Sequence, residues 1–274
     1  MENCLKALLG GGPMKFWRIW KGWFKLELSA EMAYRLNFLL KAIAFITFDF
    51  FGPILALVVY SVSKGLPGWS FEEFLLLQGT FILSTGLLHL FFMRFAVRVI
   101  DNVREGTYDI MLVKPANPLL LSIANGSDID GLPRTIVGAS IAAYSLIKMG
   151  WAFDIVHLFS YCMLILAALL FLLSLQVIIA AMSFLFVKSF TLWNIVDVLT
   201  DIGKNPITVF GPMGMLIFTF VLPIGLVAFY PASAILGKIA PLQIFEVVVV
   251  ALAFFGFSAL LWNLGIRKYA SAGG

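Results

Sequence analysis

The sequence predicts an all-α, polytopic membrane protein with six transmembrane helices and an N-terminal amphipathic helix at the membrane surface. Hydrophobic residues make up 61% of the 274 residues and charged residues only 12%, so a soluble domain would be coated in exposed apolar surface. Six apolar stretches are each about long enough to cross a bilayer, which takes roughly 20 helical residues. We expect one transmembrane domain over residues 1–274. The predicted spans are Phe38–Val62, Phe74–Met93, Ile136–Trp151, Val156–Phe186, Ile207–Phe229 and Leu242–Leu264.

The segment before the first span predicts a helix over residues 14–35 that lies in the plane of the membrane. Aromatic residues, among them Trp17, Trp20 and Trp23, recur at three- and four-residue intervals, while basic residues such as Lys15 fall on another face. Indole rings at headgroup depth together with cationic side chains favour an interfacial helix. The same pattern also fits a helix packed on a partner subunit.

Basic residues are concentrated on alternate connections, which orients the chain. Sixteen of the nineteen Lys and Arg residues would lie on one side, leaving Lys64, Lys148 and Lys238 for the other. Short cytoplasmic loops are enriched in Lys and Arg. Both termini are therefore expected in the cytoplasm, together with the connections that contain Lys114 and Lys204. The net charge of +4 then reflects topology, and we expect no nucleic-acid partner.

The longest hydrophilic connection, residues 94–134, is the one long feature of the predicted cytoplasmic face. It is too short for a domain but long enough for one or two helices. We expect a helix over 94–112, interrupted at Gly106 and stopped by the prolines that follow. Glu105 and Asp109 are four residues apart and would share a face of this helix. That face could meet the cations of a partner or simply be solvated.

Three residues within the predicted spans are candidates for a pathway through the membrane: Asp49, Pro53 and His89. A carboxylate at the depth of Asp49 costs about 3 kcal/mol, so it should face a water-filled cavity, a cation or another helix. Lys41 is eight residues away, about 12 Å along a helix, which is too far for contact. Pro53 would bend the span, and His89 could carry a proton or bond a neighbouring helix. Asp49 could contact a cationic cargo or form a hydrogen bond between helices.

Motifs for catalysis or cofactor binding are absent from the sequence. There is no phosphate-binding GxxxxGK[ST] and no pair of histidines at metal-ligand spacing. Two cysteines are too few for a disulfide framework. We therefore expect that the chain is not an enzyme, with no catalytic residue and no metal site.

Residues 100–115 read IDNVREGTYDIMLVKP, which is similar to the pattern I-x-x-G-x-x-D-x-x-L-x-x-P. This segment resembles the one after the second span in permeases of type-2 ABC exporters, in the branch of viologen- or daunorubicin-like exporter permeases. Val103 takes the place of the opening Ile. The matching positions are Gly106, Asp109, Leu112 and Pro115.

Two distant segments extend the resemblance over most of the chain. Residues 223–237 are similar to that branch's turn between the fifth and sixth spans. Residues 267–274 are similar to its terminal R-x-Y-x-S-x-G. The polar stretch 125–131 departs from the family pattern.

The resemblance implies a mechanism and partners. Two permease subunits, identical or homologous, would pair around a pathway in the bilayer of a bacterial plasma (inner) membrane. A dimer of separate ATP-binding cassette subunits would bind ATP and Mg²⁺, so this chain itself would hold no cofactor. Transport would export a hydrophobic or amphipathic substrate. The residues expected to couple the permease to the ATPase are Arg104, Glu105, Gly106, Tyr108, Asp109 and Leu112.

Two other classes of protein share the predicted topology. An ion-gradient-driven secondary transporter could use Asp49 and His89 as coupling groups. A non-transporting membrane assembly subunit could share all the topological features.

Overall fold

The computed structural model describes residues 12–63, 65–114, 116–186 and 190–269, without the side chains of residues 12–19 and 190. These residues are mostly helical, and no strand occurs among them. The α-helices in chain order are α1 (Gly12–Ala33), α2 (Arg35–Val62), α3 (Phe71–Arg104), α4 (Asp109–Leu112), α5 (Pro118–Ala124), α6 (Gly131–Lys148), α7 (Ile155–Ser183), α8 (Phe190–Asp201), α9 (Gly211–Leu216), α10 (Phe229–Ile235) and α11 (Pro241–Lys268).

Four helices of the described chain, α2, α3, α7 and α11, are long and apolar enough to cross a membrane. Their positions in the bundle differ. In their most apolar stretches 72% of α3 and 67% of α7 is buried, but only 17% of α2 and of α11. α3 and α7 therefore form the centre, while α2 and α11 expose apolar side chains suited to lipid or a partner subunit.

Four predicted spans, the first, second, fourth and sixth, fall on these helices. α3 has 34 residues and is about 51 Å long, whereas the hydrocarbon core of a bilayer is about 30 Å thick. Its last turns, Arg94–Arg104, therefore extend beyond the apolar stretch as a continuation of the same helix. Residues 94–104 are helical, as expected, but they continue the helix of the second span.

The third predicted span corresponds to α6, which packs on α3 through glycines. A Cβ atom on Gly79 or Gly86 of α3 would lie 2.7 Å from a backbone nitrogen of α6. Gly131 and Gly138 of α6 likewise have no room for a Cβ against the backbone of α3. Each pair is separated by seven residues, so the glycines recur on the facing sides and allow the two backbones to touch.

The contacts between α3 and α6 run antiparallel along the apolar part of α3. Gly131 lies against Leu90, and the Ser145 hydroxyl donates a hydrogen bond to the Glu72 carbonyl. α6 therefore runs along the apolar part of α3, between Glu72 and Leu90, with 18 helical residues and a length of about 27 Å.

The predicted fifth span, residues 207–229, does not form one helix. Gly211 has a φ of 69° and ends the first helical turn, and Pro223 interrupts the segment again. Between and after these breaks the chain forms short pieces. They are a 3₁₀ turn (Ile207–Phe210), α9, a π turn (Ile217–Val221), a second 3₁₀ turn (Ile224–Leu226) and the start of α10.

Both ends of this broken segment lie at the Phe71 end of α3. At its start, Gln78 of α3 donates a hydrogen bond of 2.8 Å to the Lys204 carbonyl. Beyond its end, the Lys238 Nζ is 2.7 Å from Glu73 of α3. A segment that begins and ends at the same depth does not cross the bundle, so the prediction of a crossing over 207–229 is wrong.

α8 and the 3₁₀ turn that follows it, Ile202–Lys204, run beside α3 instead. Trp193 near the start of α8 and Met93 of α3 line the same cavity. At the other end Lys204 reaches Gln78 and lies 5.5 Å from the centre of the Phe81 ring. Residues 190–204 thus cover the apolar length of α3 in the antiparallel direction.

Both ends of the described chain lie near the half of α3 that ends at Arg104. α1 is helical where an interfacial helix was predicted, and its Trp20 ring packs 5.8 Å from that of Phe91. Tyr269, after α11, lies in the aromatic cluster that surrounds Tyr108. The side chains of residues 12–19, including the predicted interfacial Trp17, lie outside the described part, and a position of α1 in the membrane plane stays a prediction.

Candidate functional site

The predicted coupling segment begins where α3 ends. Gly106 has a φ of 69°, a conformation that favours glycine and commonly closes a helix. The amides of Thr107 and Tyr108 both donate to the carbonyl of Asn102, which turns the chain back on itself. Gly106 therefore ends the helix.

This break separates two residues that were predicted to share a helix face. Glu105 follows the last residue of α3, and Asp109 begins the short α4 on the other side of Gly106. The four-residue spacing argument needs a continuous helix. The prediction of one shared face for Glu105 and Asp109 is therefore wrong.

Tyr108 anchors this segment in the bundle. Its side chain is fully buried, with the rings of Phe184, Tyr269 and Trp262 at 5.1, 5.9 and 6.3 Å. Burial raises the pKa of Tyr108 to about 12, against a smaller opposing effect of its hydrogen bond to Ser122. Tyr108 therefore contributes by fixing the segment to α7 and α11, and it presents no surface to a partner.

The other predicted coupling residues lie around this anchor. Arg104 is exposed and pairs with Asp101 at 3.3 Å, and Glu105 is exposed as well. Leu112 is partly buried and packs on the cluster that holds Tyr108. Pro115 lies outside the described residues.

Two apolar side chains of this segment point away from the bundle. Ile110 is 60% exposed and Val113 is 81% exposed, although both follow the aromatic anchor. Sequence reasoning missed them because an apolar residue in or next to a predicted helix is normally assigned to the core. They give the segment an apolar surface that a partner can cover.

A network of ion pairs fastens α1 to the same end of α3. Arg94 lies 3.1 Å from Glu27 of α1 and 3.0 Å from Asp128. Arg98 bonds both Glu27 and the carbonyl of Asn125. The carboxylates are largely buried, so removing one of the arginines would leave a buried charge without its partner.

The polar stretch 125–131 is the hub of this network. The Arg94 amide donates to the Gly126 carbonyl and the Asp128 amide to the Leu90 carbonyl, at 3.0 and 3.2 Å. The stretch is thereby tied to the backbone of α3 as well as to its side chains. Its departure from the family pattern has a structural role at the junction of α1, α3 and α6.

Lys41 of α2 completes the junction. It pairs with Glu31 of α1 at 3.1 Å and with Asp130 at 3.0 Å. Burial raises the pKa of Asp130, while the hydrogen bond from Lys41 opposes this effect. As expected, Lys41 is not the partner of Asp49. Glu27 and Glu31 are four residues apart, as are Arg94 and Arg98, so each pair lies on one face of its helix. Nothing in the sequence shows that these two faces meet.

The predicted pathway residues Asp49 and His89 meet through Arg134, which the sequence placed in a loop. Two nitrogens of Arg134 bond the two oxygens of Asp49 at 2.7 and 2.8 Å. A third, Nη1, lies 3.1 Å from Nε2 of His89. Arginine has no acceptor, so Nε2 of His89 carries no proton and His89 is neutral here.

This triad is enclosed within the bundle. Asp49 retains 9% of its side-chain exposure and Arg134 retains 13%. Phe45 packs beside both, with its ring 5.7 Å from the guanidinium carbon and 6.1 Å from the His89 ring. Pro53 is buried one turn farther along α2. The geometry favours the interhelical role of Asp49 over contact with a cargo.

No group of three or more His, Cys, Asp or Glu side chains within the described residues could hold a metal ion. The candidate site thus consists of a docking segment at residues 104–113, the ion-pair junction behind it, and the buried triad within the bundle.

Comparison with known proteins identifies the family. The chain has no significant match among curated proteins or among solved structures. Residues 31–273 match the model of a family described as ABC-2 family transporter protein, and this match covers the four apolar helices and the docking segment. Such a membrane component implies an ABC transporter system with an ATPase partner. The chain therefore belongs to the ABC-2 family of multi-pass transporter membrane proteins.

Proposed function

We propose that this chain is the permease subunit of an ATP-driven exporter. It pairs with a second permease subunit, identical or homologous, and docks on a dimer of ATP-binding cassette subunits that carry ATP and Mg²⁺. The observation that supports this most directly is the docking segment, 104–113, which exposes apolar and charged side chains yet is anchored by Tyr108. Family membership supports the transporter class.

The docking segment can transmit movement of the ATPase subunits to the transmembrane helices. It follows α3 without a linker, and α3 is continuous from Arg104 to Phe71. The backbone of α3 is held against α6 by glycines, so a push on the segment moves α3 and α6 together. The ion-pair junction carries the same push to α1 and α2.

The proposed topology keeps six crossings. They are α2, α3, α6, α7, the segment 190–204 and α11. The Arg104 end of α3, with α1 and Tyr269, faces the cytoplasm of a bacterial cell, because most basic residues lie there. Lys204 then lies near the opposite face, which changes the side first predicted for it.

The exported substrate is hydrophobic or amphipathic, in the manner of viologen- or daunorubicin-like exporters, and hydrolysis takes place on the partner subunit. A gradient-driven transporter would need a coupling carboxylate that exchanges its proton. Both oxygens of Asp49 are bonded to Arg134, which makes it poorly suited to that task.

The test is the ATPase that copurifies with the chain from its native host. The double variant Ile110→Asp/Val113→Asp introduces charges on the docking surface, and we expect a loss of at least about tenfold in copurified, vanadate-sensitive ATPase activity, since such anchors dominate interfaces. Phe153→Asp is the matched control, because Phe153 is 73% exposed but lies before α7 at the opposite end.

Equal loss in both variants would indicate unfolding. Full ATPase recovery with the double variant, or no ATPase with the parent chain, would contradict the proposed docking.

A further inference from the structure

The described side chains of α1 are sorted by charge. Both carboxylates, Glu27 and Glu31, turn into the bundle and form ion pairs there, Glu27 with arginines of α3 and Glu31 with Lys41. Lys21 and Lys25 are exposed instead, and neither forms an ion pair within the part of the chain that the structure describes. Over these side chains the exposed surface of α1 is therefore positively charged, with no exposed carboxylate.

Two apolar side chains extend this surface into a stripe. Leu28 and Met32 are 40% and 43% exposed. They continue the spacing of Lys21 and Lys25, at intervals of three and four residues, and lie on the same face of α1. We call these four residues the α1 stripe; it is about 16 Å long. Ammonium groups at one end and apolar side chains at the other match a phospholipid, which has its phosphate at one end and its acyl chains at the other.

The start of α2 marks the level of the lipid headgroups beside this stripe. Tyr34 is 74% exposed, and Arg35 is exposed without an ion pair to any described residue. From Leu36 onward exposed apolar side chains follow, among them Leu39 and Leu40. Aromatic and basic side chains directly before such a run are typical of the membrane–water interface. Arg35 therefore adds a third unpaired cation at the depth of the phosphates.

A surface with three cations and no exposed carboxylate selects among lipids by charge. We propose that the α1 stripe and Arg35 bind the headgroup phosphate of an anionic phospholipid, such as phosphatidylglycerol, in preference to a zwitterionic one. Phosphatidylcholine has the same phosphate, but its quaternary ammonium would lie among cations that no carboxylate balances. Each basic side chain near an anionic surface favours it by about threefold after screening by salt, so we expect a preference of about twentyfold. The assignment goes beyond the proposed export function and does not depend on it.

Native mass spectrometry of the purified protein resolves bound phospholipids by mass. The protein is released from micelles that contain equal amounts of phosphatidylglycerol and phosphatidylcholine, and the ratio of the two classes is measured for the first lipid bound. Lys21→Gln/Lys25→Gln/Arg35→Gln removes three charges, and we expect the preference to fall below about twofold. Lys21→Arg/Lys25→Arg retains the charges and should bind like the parent.

Lys148→Gln is the matched control for the loss of an exposed cation. Lys148 lies at the end of α6 away from α1, with its Nζ 5.6 Å from the centre of the Tyr144 ring, and this variant should keep the parent's preference. Size exclusion chromatography checks that each variant is folded. If the triple variant fails to fold, Lys25→Gln alone, on an exposed helix face, should still lower the preference by about threefold.

An unchanged preference in the triple variant or in Lys25→Gln would overturn the proposal. An equal loss in Lys148→Gln would do so as well, since selection would then follow the total charge of the protein. Excess inorganic phosphate should leave the lipid bound, because it lacks the acyl chains that contact Leu28 and Met32. Displacement of the lipid by phosphate would assign the stripe to a soluble anion and contradict the lipid.

Discussion

α3 has two neighbours along the same length, α6 and α8, and the two contacts are opposite in kind. On the α6 side the backbones touch, with glycines on both helices and no room for a Cβ atom. On the α8 side a cavity lined by both polar and apolar side chains lies between the helices. Two helices whose backbones touch are closely packed and fit together in one arrangement only. A cavity between helices can change its volume without breaking such packing.

The contrast indicates which parts move together. α3, α6 and the docking segment form one body, held by the glycine contact and by the anchor of Tyr108. The segment that contains α8 is tied to α3 at Lys204, whose carbonyl accepts a hydrogen bond from Gln78.

The largest expected effect breaks the close contact. In Gly138→Leu the new side chain must enter the backbone of α3 at Leu83, and we expect a loss of about 3 kcal/mol or failure to fold, at the upper end for overpacking. The folded fraction by fluorescence-detected size exclusion measures it. Gly256→Leu is the matched control, because nothing lies within 4 Å of a Cβ there; a comparable loss in that variant would show that leucine itself is the problem.

The second prediction concerns the triad of Asp49, His89 and Arg134, which joins α2, α3 and α6 beside the cavity. Asp49→Asn leaves the buried Arg134 without an anion, and we expect a loss of about 2 kcal/mol in stability. The double variant Asp49→Asn/Arg134→Gln should recover roughly half of it. Thermal unfolding of the purified complex measures both.

Asp101→Asn is the control for charge loss as such, because Asp101 pairs with Arg104 at an exposed site. Its cost should stay below about 0.5 kcal/mol. Equal destabilisation by Asp49→Asn and Asp101→Asn would mean that the triad has no special role. Selective loss of cationic transport in Asp49→Asn, with stability intact, would revive contact with a cargo.

The third prediction concerns the side of the membrane on which the end of the α8 segment lies, and its test perturbs the protein least. Reporters fused after Lys114 and after Lys204 should report opposite faces of the membrane, cytoplasmic and extracytoplasmic, because Lys204 lies at the Phe71 end of α3. The distribution of basic residues alone predicts that both are cytoplasmic. A cytoplasmic signal after Lys204 would contradict the crossing by residues 190–204.

Much of the fold could be predicted because apolarity is a property of each residue. Runs of about 20 apolar residues identify α2, α3, α7 and α11, and Gly106 was recognised as an interruption. The segment 190–204, which we propose as a crossing, was not predicted as a span because it carries two carboxylates, Asp197 and Asp201, one helical turn apart. The apolar segment 207–229 looked more like a span, but its breaks turn it back.

By itself, then, the sequence determined the all-helical membrane class, the positions of the longest spans and the family resemblance of residues 100–115. Only the tertiary structure decided which groups meet. Arg134 reaches Asp49 across 85 residues of chain, and Arg98 reaches Glu27 across 71. Burial free energy depends on how apolar each residue is and can be summed along a sequence. The partner of a buried charge depends on helix register and the facing side, which arise only when the helices pack.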